Sequence, residues 1–245
     1  MFNKLKTTTM LTTVLLFSTV AGCAEAGQKA EPANKADIEK IVRAYLLDNP
    51  EIIEEALLLL DERRDRDSII AVANELRKDK RDFSIGPKDA KVTVVEFFDY
   101  NCSFCKQSTA WVQNLVKRYP DDVRVVFKEL PILDRRSKTS RNAAKAALAA
   151  HKQGKYMEMH LALMEGTALN SKFIKSTAIK IGLNLSEFEA DMASPDLDEQ
   201  LEDAMYLASV IPGLTGTPFF VINDKFLASG NTQALQVMLD EALSQ

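Results

Sequence analysis

Apolar residues in the first third of the chain recur with a helical period. Ile38, Ile41, Val42, Tyr45 and Leu46 fall at the i, i+3, i+4, i+7, i+8 positions of a helix with one apolar face. Asn49-Pro50-Glu51 then reads as an N-cap, a proline at the first helical position and an acid in the first turn. The helix it opens carries Ile53, Ala56, Leu57 and Leu60. The run Asp61-Glu62-Arg63-Arg64-Asp65-Arg66-Asp67 interrupts that stripe, which resumes at Ile69, Val72, Ala73 and Leu76. A charge run is ordinarily a solvated helix face, and here it also sits where a rod or hinge would join two parts of a chain. Two short amphipathic helices enclose too little core to stand alone, so their apolar faces are expected to meet the following domain or another copy of themselves.

The pattern changes after residue 80. A short strand is predicted near Phe83 to Ile85, and the β-branched and aromatic run over 92–98 reads as a buried strand broken by one carboxylate, Glu96. Phe104, Ser108, Trp111, Val112, Leu115, Val116 and Tyr119 return to helical spacing until Pro120, and a strand is predicted over 123–128. From Ser137 to Val210 the pattern is helical, with Ala143 to Ala150, Tyr156 to Met164, Lys172 to Ile181 and Asp196 to Val210 separated by Gly154, Gly166, Gly182 and Pro195. Strands over 219–222 and 226–228 flank Asn223-Asp224, and a closing helix runs from Gln233 to Leu243. The order is strand, helix, strand, helices, hairpin, helix, an α/β class.

Cys102 and Cys105 stand two residues apart where the main strand gives way to a helix. At a helix start, unsatisfied backbone N–H groups and the positive end of the dipole favour a thiolate over a thiol. A thiol of ordinary pKa is roughly 3% ionised at pH 7, and one shifted to about 5 is almost fully so. Cys102 is thereby placed as a nucleophile, and Cys105, one turn further in, as the group that resolves a mixed disulfide formed at Cys102. Two other uses of such a pair are a zinc site and a structural disulfide. For zinc the chain adds only His151 and His160 to the pair, with no second pair of cysteines. A structural disulfide closing so short a loop constrains the unfolded chain little. A second cue is Leu214-Thr215-Gly216-Thr217-Pro218 leading into Phe219-Phe220-Val221-Ile222, a proline at a strand start, where the missing N–H is tolerated.

From about residue 37 onward the chain resembles the DsbA-like branch of the thioredoxin superfamily, especially ScsC-type members that carry an added N-terminal oligomerisation segment. The resemblance rests on Phe97-Phe98-Asp99-Tyr100-Asn101-Cys102-Ser103-Phe104-Cys105, on Val125-Val126-Phe127-Lys128-Glu129-Leu130-Pro131-Ile132, and on Thr215-Gly216-Thr217-Pro218. It implies a thioredoxin fold over 81–245 with a helical insertion at about 137–210, preceded by a helical oligomerisation stalk over 37–80. It also implies an exposed, attacking Cys102, a buried Cys105, a cis-proline at Pro218, and a Thr217 backbone that pairs with an extended substrate segment. Glu96 matches the family's buried acid, thought to move a proton to or from the buried cysteine, with a pKa that burial should raise. Lys128 is a candidate partner that would instead hold Glu96 ionised; the plainer reading is a lysine snorkelling at a strand end. Ser103-Phe104 is neither the Pro-His of strongly oxidising DsbA nor the Gly-Pro of reducing thioredoxin, and Thr217 is more similar to the isomerases.

The N-terminus bears on compartment. Lys4 and Lys6 precede an apolar stretch from Met10 to Val20, too short to span a bilayer comfortably, which reads as a signal peptide within 1–23. Val20-Ala21-Gly22-Cys23 resembles a lipobox, which would make Cys23 the acylated N-terminus and, with Ala24 after it, resembles outer-membrane sorting. Cleavage after Ala24-Glu25-Ala26 is the alternative and would give a soluble periplasmic protein. Acylation also accounts for the odd third cysteine in an oxidising compartment. Residues 24–36 read as a flexible tether.

Hydrophobic residues make up 46% of the 245, and removal of Lys4 and Lys6 takes the formal charge from −4 to −6. A mildly acidic chain argues against nucleic acid as partner, and the nine glycines form no phosphate-cradling loop. Met157, Met159, Met164 and His160 read as core filling before they read as a substrate groove, and His151 and His160 receive no role. The expectation is a thiol:disulfide oxidoreductase, an oxidase or isomerase, needing no cofactor and no metal. It would act on cysteines of exported proteins, be recharged by a membrane redox partner, and assemble as a dimer or trimer held to the membrane by its lipid alone. The alternative is a client-binding or chaperone-like envelope protein that keeps the fold without the catalysis.

Overall fold

A computed structural model describes residues 34–245; the expected leader, Cys23 and nearly all of the expected tether lie outside them. Two compact units divide at Ile53 and Glu54. In the first, helix α1 (Lys35–Asp48) opens at Asn34, whose side chain accepts the Asp37 N–H at 3.1 Å, and closes at Asn49, whose backbone and side-chain amides both donate to the Tyr45 carbonyl. Ile38, Ile41, Val42 and Tyr45 form the expected stripe and are all exposed, so α1 has no buried residue. Helix α2 (Glu51–Ala71) starts one residue after Pro50 and runs unbroken through Asp61–Asp67, whose charges lie along a largely exposed face. Among the described residues no helix is long and apolar enough to cross a membrane.

In the second unit α2 delivers Ile69, and the short α3 (Ala73–Arg77) delivers Leu76, both fully buried. The sheet consists of β1 (Ser84–Ile85), β2 (Val92–Phe98), β3 (Val123–Glu129), β4 (Phe219–Ile222) and β5 (Lys225–Leu227), in the order β1-β3-β2-β4-β5. β2 and β3 are parallel, joined by α4 (Ser103–Arg118), and the other pairings are antiparallel. Between β3 and β4 lie α5 (Asp134–Ser137), α6 (Ser140–Lys152), α7 (Tyr156–Glu165), α8 (Ser171–Lys180), α9 (Leu185–Met192) and α10 (Pro195–Val210), and α11 (Thr232–Ser244) closes the chain. This is a thioredoxin fold with a helical insertion. The sequence pattern omits α9, because its eight residues bury only Phe188 and so make no stripe; its signal is the cap, where Asn184 accepts the Glu187 N–H and donates its own amide to the Glu187 side chain.

Side chains alternate across β2 and β3, and the alternation sorts the core into two clusters. Val92, Val94, Phe98, Val125 and Phe127 join α4, α6, α7 and α11 on one face, and Val95, Phe97, Val126, Phe219 and Val221 join Ile69 and Leu76 on the other. In the β2–β3 register Glu96 stands opposite Phe127, and Phe97 opposite Lys128. Lys128 therefore points away from Glu96, and the expectation that it would hold that carboxylate ionised is corrected. It is no snorkelling strand-end lysine either: its side chain is 4% exposed, ion-paired with Asp82 at 2.5 Å and bonded to the Glu75 carbonyl. Removing one partner of a buried pair leaves a charge with no compensation. Asp82→Ala is thus expected to cost about 3–5 kcal/mol in urea unfolding, with most of it recovered when Lys128→Met is added.

Candidate active site

Three segments converge on Cys102. The first is the start of α4, where Cys102 is the N-cap in extended conformation, its N–H donating to the Asp99 carbonyl at 3.0 Å and its carbonyl accepting the Lys106 N–H at 3.1 Å. The second is the loop before β4, where the Thr217–Pro218 peptide is cis and the Cys102 thiol donates to the Thr217 carbonyl at 3.1 Å. The third is the turn before α11: a Cβ on Gly230 would come within 3.2 Å of both the Phe104 carbonyl and the Pro218 ring. Only a residue with no side chain lets this turn close on the other two without displacing them. Phe104 itself is 61% exposed beside this junction.

The two sulfurs differ in access and in acidity. Cys102 retains 7% of its surface and Cys105 none, and both are free thiols, so the expectation of an exposed Cys102 is corrected: the Thr217–Pro218 loop packs against its sulfur and leaves only a small opening. The hydrogen bond from the Cys105 thiol, with further donation from the Cys105 and Phe104 N–H groups of the first turn and from the Thr217 side chain, pulls Cys102 down to about 6 against the opposing effect of burial. Burial first, and then that same bond to Cys102 and the nearby Glu96 charge, pushes Cys105 far upward. At neutral pH the outer sulfur is therefore a thiolate and the inner one a thiol.

Glu96 lies beneath α4, 1% exposed, between Phe127 of β3 and Phe220 of β4. Burial raises its pKa to about 8, opposed by a hydrogen bond from the Ser108 hydroxyl at 3.3 Å. The carboxyl is thus protonated near neutrality and ionises within reach of physiological pH. Ser108 was legible in the sequence only as a helix-face position.

The loop between β2 and Cys102 is clamped by residues that sequence reasoning passed over. Asp99 is buried and accepts the Asn101 N–H at 2.8 Å, the Leu133 N–H at 2.9 Å and the Ser140 hydroxyl at 2.7 Å. Tyr100 donates to Glu129 at 2.8 Å, as does Tyr156 from α7 at 2.7 Å, and the Tyr100 oxygen lies 3.0 Å from His160 Nδ1. Burial drives His160 down to about 3, so its ring is neutral at working pH. Met159 and Met164 are core residues as expected, and Met157 packs at the edge of the same cluster.

The Glu96 shift makes stability depend on pH with a definite sign. Between about 4.5 and about 8 the folded chain holds a proton that the unfolded chain has released. The contribution is full below the unfolded value and is lost as pH rises through the folded one. Glu96→Gln, which cannot ionise, is therefore expected to exceed the parent by about 3 kcal/mol at pH 7 and to match it near pH 4, as read by urea midpoints.

The profile of the DSBA-like thioredoxin domain matches residues 93–241, and that of the copper resistance protein ScsC N-terminal domain matches residues 34–65. A thioredoxin-like oxidoreductase from Silicibacter pomeroyi is 37% identical, with a TM-score of 0.64 over 70% of this chain and 98% of that one. Proteus mirabilis ScsC in a transitional conformation is 28% identical, with a TM-score of 0.64 over 86% and 99%. Among curated relatives, a Na(+)/H(+) antiporter NhaA 3 from Salinispora tropica is 36% identical over 149 residues, a stretch that covers 59% of this chain but only 22% of the antiporter. The domain profile spans more than half of the chain, and its limits take in all of β2 but Val92, the Cys102–Cys105 turn, the helical insertion and the Thr217–Pro218 loop: the chain belongs to the DSBA-like thioredoxin domain family.

Proposed function

We propose that the chain is a periplasmic thiol:disulfide oxidoreductase that forms or shuffles disulfides in exported proteins through Cys102 and Cys105. The observation that carries the reading is the difference between the sulfurs: one that keeps 7% of its surface and is shifted to about 6 beside the Thr217 carbonyl, and a fully buried thiol one turn behind it. Cys102 attacks a client disulfide, or is attacked when it is itself oxidised. Cys105 then closes or reopens the internal disulfide, exchanging its proton with Glu96. The Thr217 backbone beside Pro218 supplies an edge for an extended client segment, and main-chain pairing of that kind tolerates many sequences. The exposed Phe104 adds an apolar contact next to the reacting sulfur. Ionisation of Cys102 stabilises the reduced pair, which supports an oxidising or isomerising role over a reducing one.

The test is a glutathione redox titration joined to refolding of a scrambled disulfide substrate. A potential of roughly −120 to −200 mV with shuffling activity lost in Cys102→Ser fits the proposal, whereas a value near −300 mV or lower with no exchange makes the pair a structural disulfide. Client binding with a normal cellular phenotype in Cys102→Ser would favour the client-binding alternative.

The stalk and the anchor belong to the same proposal. Residues 37–80 supply association through their first half, where Ile38, Ile41, Val42 and Tyr45 present an exposed apolar stripe within the part that matches the ScsC N-terminal profile. Cys23 carries the lipid that holds the protein to the outer membrane from the periplasmic side, where a membrane redox partner recharges the dithiol. Mass spectrometry of the membrane-extracted protein reads both claims. Two or three copies, each acylated at Cys23, are expected, with Ile41→Glu plus Tyr45→Glu giving single copies; a parent of single copies, or an unmodified start at Gly27, would remove the corresponding claim.

A further inference from the structure

Ser108 is fully buried on α4 and has two acceptors within reach of one hydroxyl hydrogen: the Cys105 carbonyl at 3.0 Å and Glu96 Oε1 at 3.3 Å. A serine inside a helix ordinarily bonds back to the carbonyl one turn earlier. Here that carbonyl has another side-chain donor, because Thr109 Oγ1 donates to it at 2.9 Å. The Cys105 carbonyl therefore does not require Ser108, and the hydroxyl is at liberty to turn to Glu96.

Among the described residues no other side chain is hydrogen-bonded to Glu96. Phe127 and Phe220 flank the carboxyl in the sheet. Lys128 lies on the opposite face, paired with Asp82. The titratable groups coupled to Glu96 are Cys105 on α4, Cys102 at its cap and Tyr100 in the preceding loop. Each of these three disfavours the carboxylate when it carries a negative charge itself, and the Tyr100 hydroxyl is committed to Glu129.

We infer that Ser108 is a positioning residue for the proton of Cys105: its hydroxyl hydrogen turns to Glu96 when that carboxyl is ionised and to the Cys105 carbonyl when it is protonated. In the first state the hydroxyl donates to the carboxylate; in the second its oxygen accepts the carboxylic acid proton. The buried acid is thus hydrogen-bonded on both sides of the transfer, with no movement beyond rotation about one C–O bond. An alanine would leave the carboxylate unbonded in an apolar site, where the loss falls on the ionised form alone. The direction agrees with the lowering effect of the Ser108 bond on Glu96.

The inference rests on the redox reading above, and glutathione disulfide separates its two steps. The Cys102 thiolate attacks one sulfur of the reagent, the Cys102–glutathione bond forms, and the first glutathione leaves as thiolate. Glu96 then takes the Cys105 proton, the Cys105 sulfur attacks Cys102, the internal disulfide forms, and the second glutathione leaves as thiolate to be protonated by solvent. The protein loses two electrons and the reagent gains them.

The experiment follows release of the second glutathione against pH for the reduced parent, Ser108→Ala and Ser108→Thr, beside a carboxyl titration of Glu96 by carbon NMR or infrared difference, assigned with Glu96→Gln. Ser108→Ala is expected to slow the second step about tenfold near pH 7, to recover at higher pH, to leave the first step unchanged and to raise the Glu96 midpoint. Ser108→Thr, which keeps the hydroxyl, restores the parent profile. A pH profile and a Glu96 midpoint that do not move in Ser108→Ala overturn the inference, and so does a threonine variant that behaves like the alanine. Were the parent itself inert towards glutathione disulfide, the redox reading would fail, and the carboxyl titration would still decide the role of Ser108.

Discussion

The constraint on which the site depends is the start of α4 against the sheet. A helix must begin with backbone N–H groups that lack intrahelical partners, and this one directs them at Cys102, the residue at the cap. The sulfur also lies 3.1 Å from the Thr217 carbonyl and keeps 7% of its surface, which fixes three segments at once: the clamped Asp99-Tyr100-Asn101 loop, the cis Thr217–Pro218 peptide, and the Gly230 turn that closes on Phe104 and Pro218. The helical insertion serves the same end. Ser140 at the start of α6 bonds Asp99, and Tyr156 from α7 shares the Glu129 carboxyl with Tyr100, so the inserted helices hold the loop that leads to Cys102.

Placing charge inside such a site requires separation, and the two-residue period of the strands supplies it. Glu96 and Lys128 sit on neighbouring strands one register position apart, yet on opposite faces of the sheet. Had they faced one another, the lysine would have held the carboxylate ionised and removed its capacity to exchange a proton near neutrality. Lys128 is satisfied instead by Asp82 and the Glu75 carbonyl on the far face. Glu96 is left in a dry, aromatic setting with one hydroxyl beside it. The raised pKa of the acid and the lowered pKa of Cys102 arise from opposite causes, a shortage of donors in one place and a surplus in the other.

Much of this was legible in the residues. The β-branched and aromatic run over 92–98, the helical spacing after Cys102 and the glycines and prolines between the inserted helices mark elements that the structure places within one to three residues at most ends, because each carries a local physical signal. The α9 helix left none beyond its Asn184 cap. The position of Lys128 was available in principle from strand parity, since Glu96 opposite Phe127 puts the lysine on the other face; what the sequence lacks is the register itself, which depends on where β3 begins to pair. The clamp made by Asp99, Glu129, Ser140 and Tyr156 was not legible at all, for its members come from separate elements and each resembles an ordinary polar residue until the fold brings them together. Ile69 and Leu76 carried an apolar pattern consistent with either the stalk or the core, and the packing assigns them to the core.

The opposed acidities of the two sulfurs also separate equilibrium from rate. Whatever stabilises the Cys102 thiolate favours the reduced pair and so sets how oxidising the dithiol is. Burial of Cys105 has little to add to that balance near neutral pH, where the thiol is protonated in the folded and unfolded chain alike. Its effect is kinetic: a sulfur that must lose a proton before it attacks can react only as fast as a base can be found in a site closed to water. Glu96 is the buried carboxyl whose charge acts on Cys105, and in the proposed exchange its ionised fraction at working pH limits the step. In the proposed exchange the Cys105 hydrogen bond and the N–H groups at the start of α4 set the Cys102 thiolate and with it the potential, while the buried Glu96 carboxyl sets how fast Cys105 is freed to attack; the two are linked, because the bond that lowers Cys102 is also one of the causes that raise Cys105.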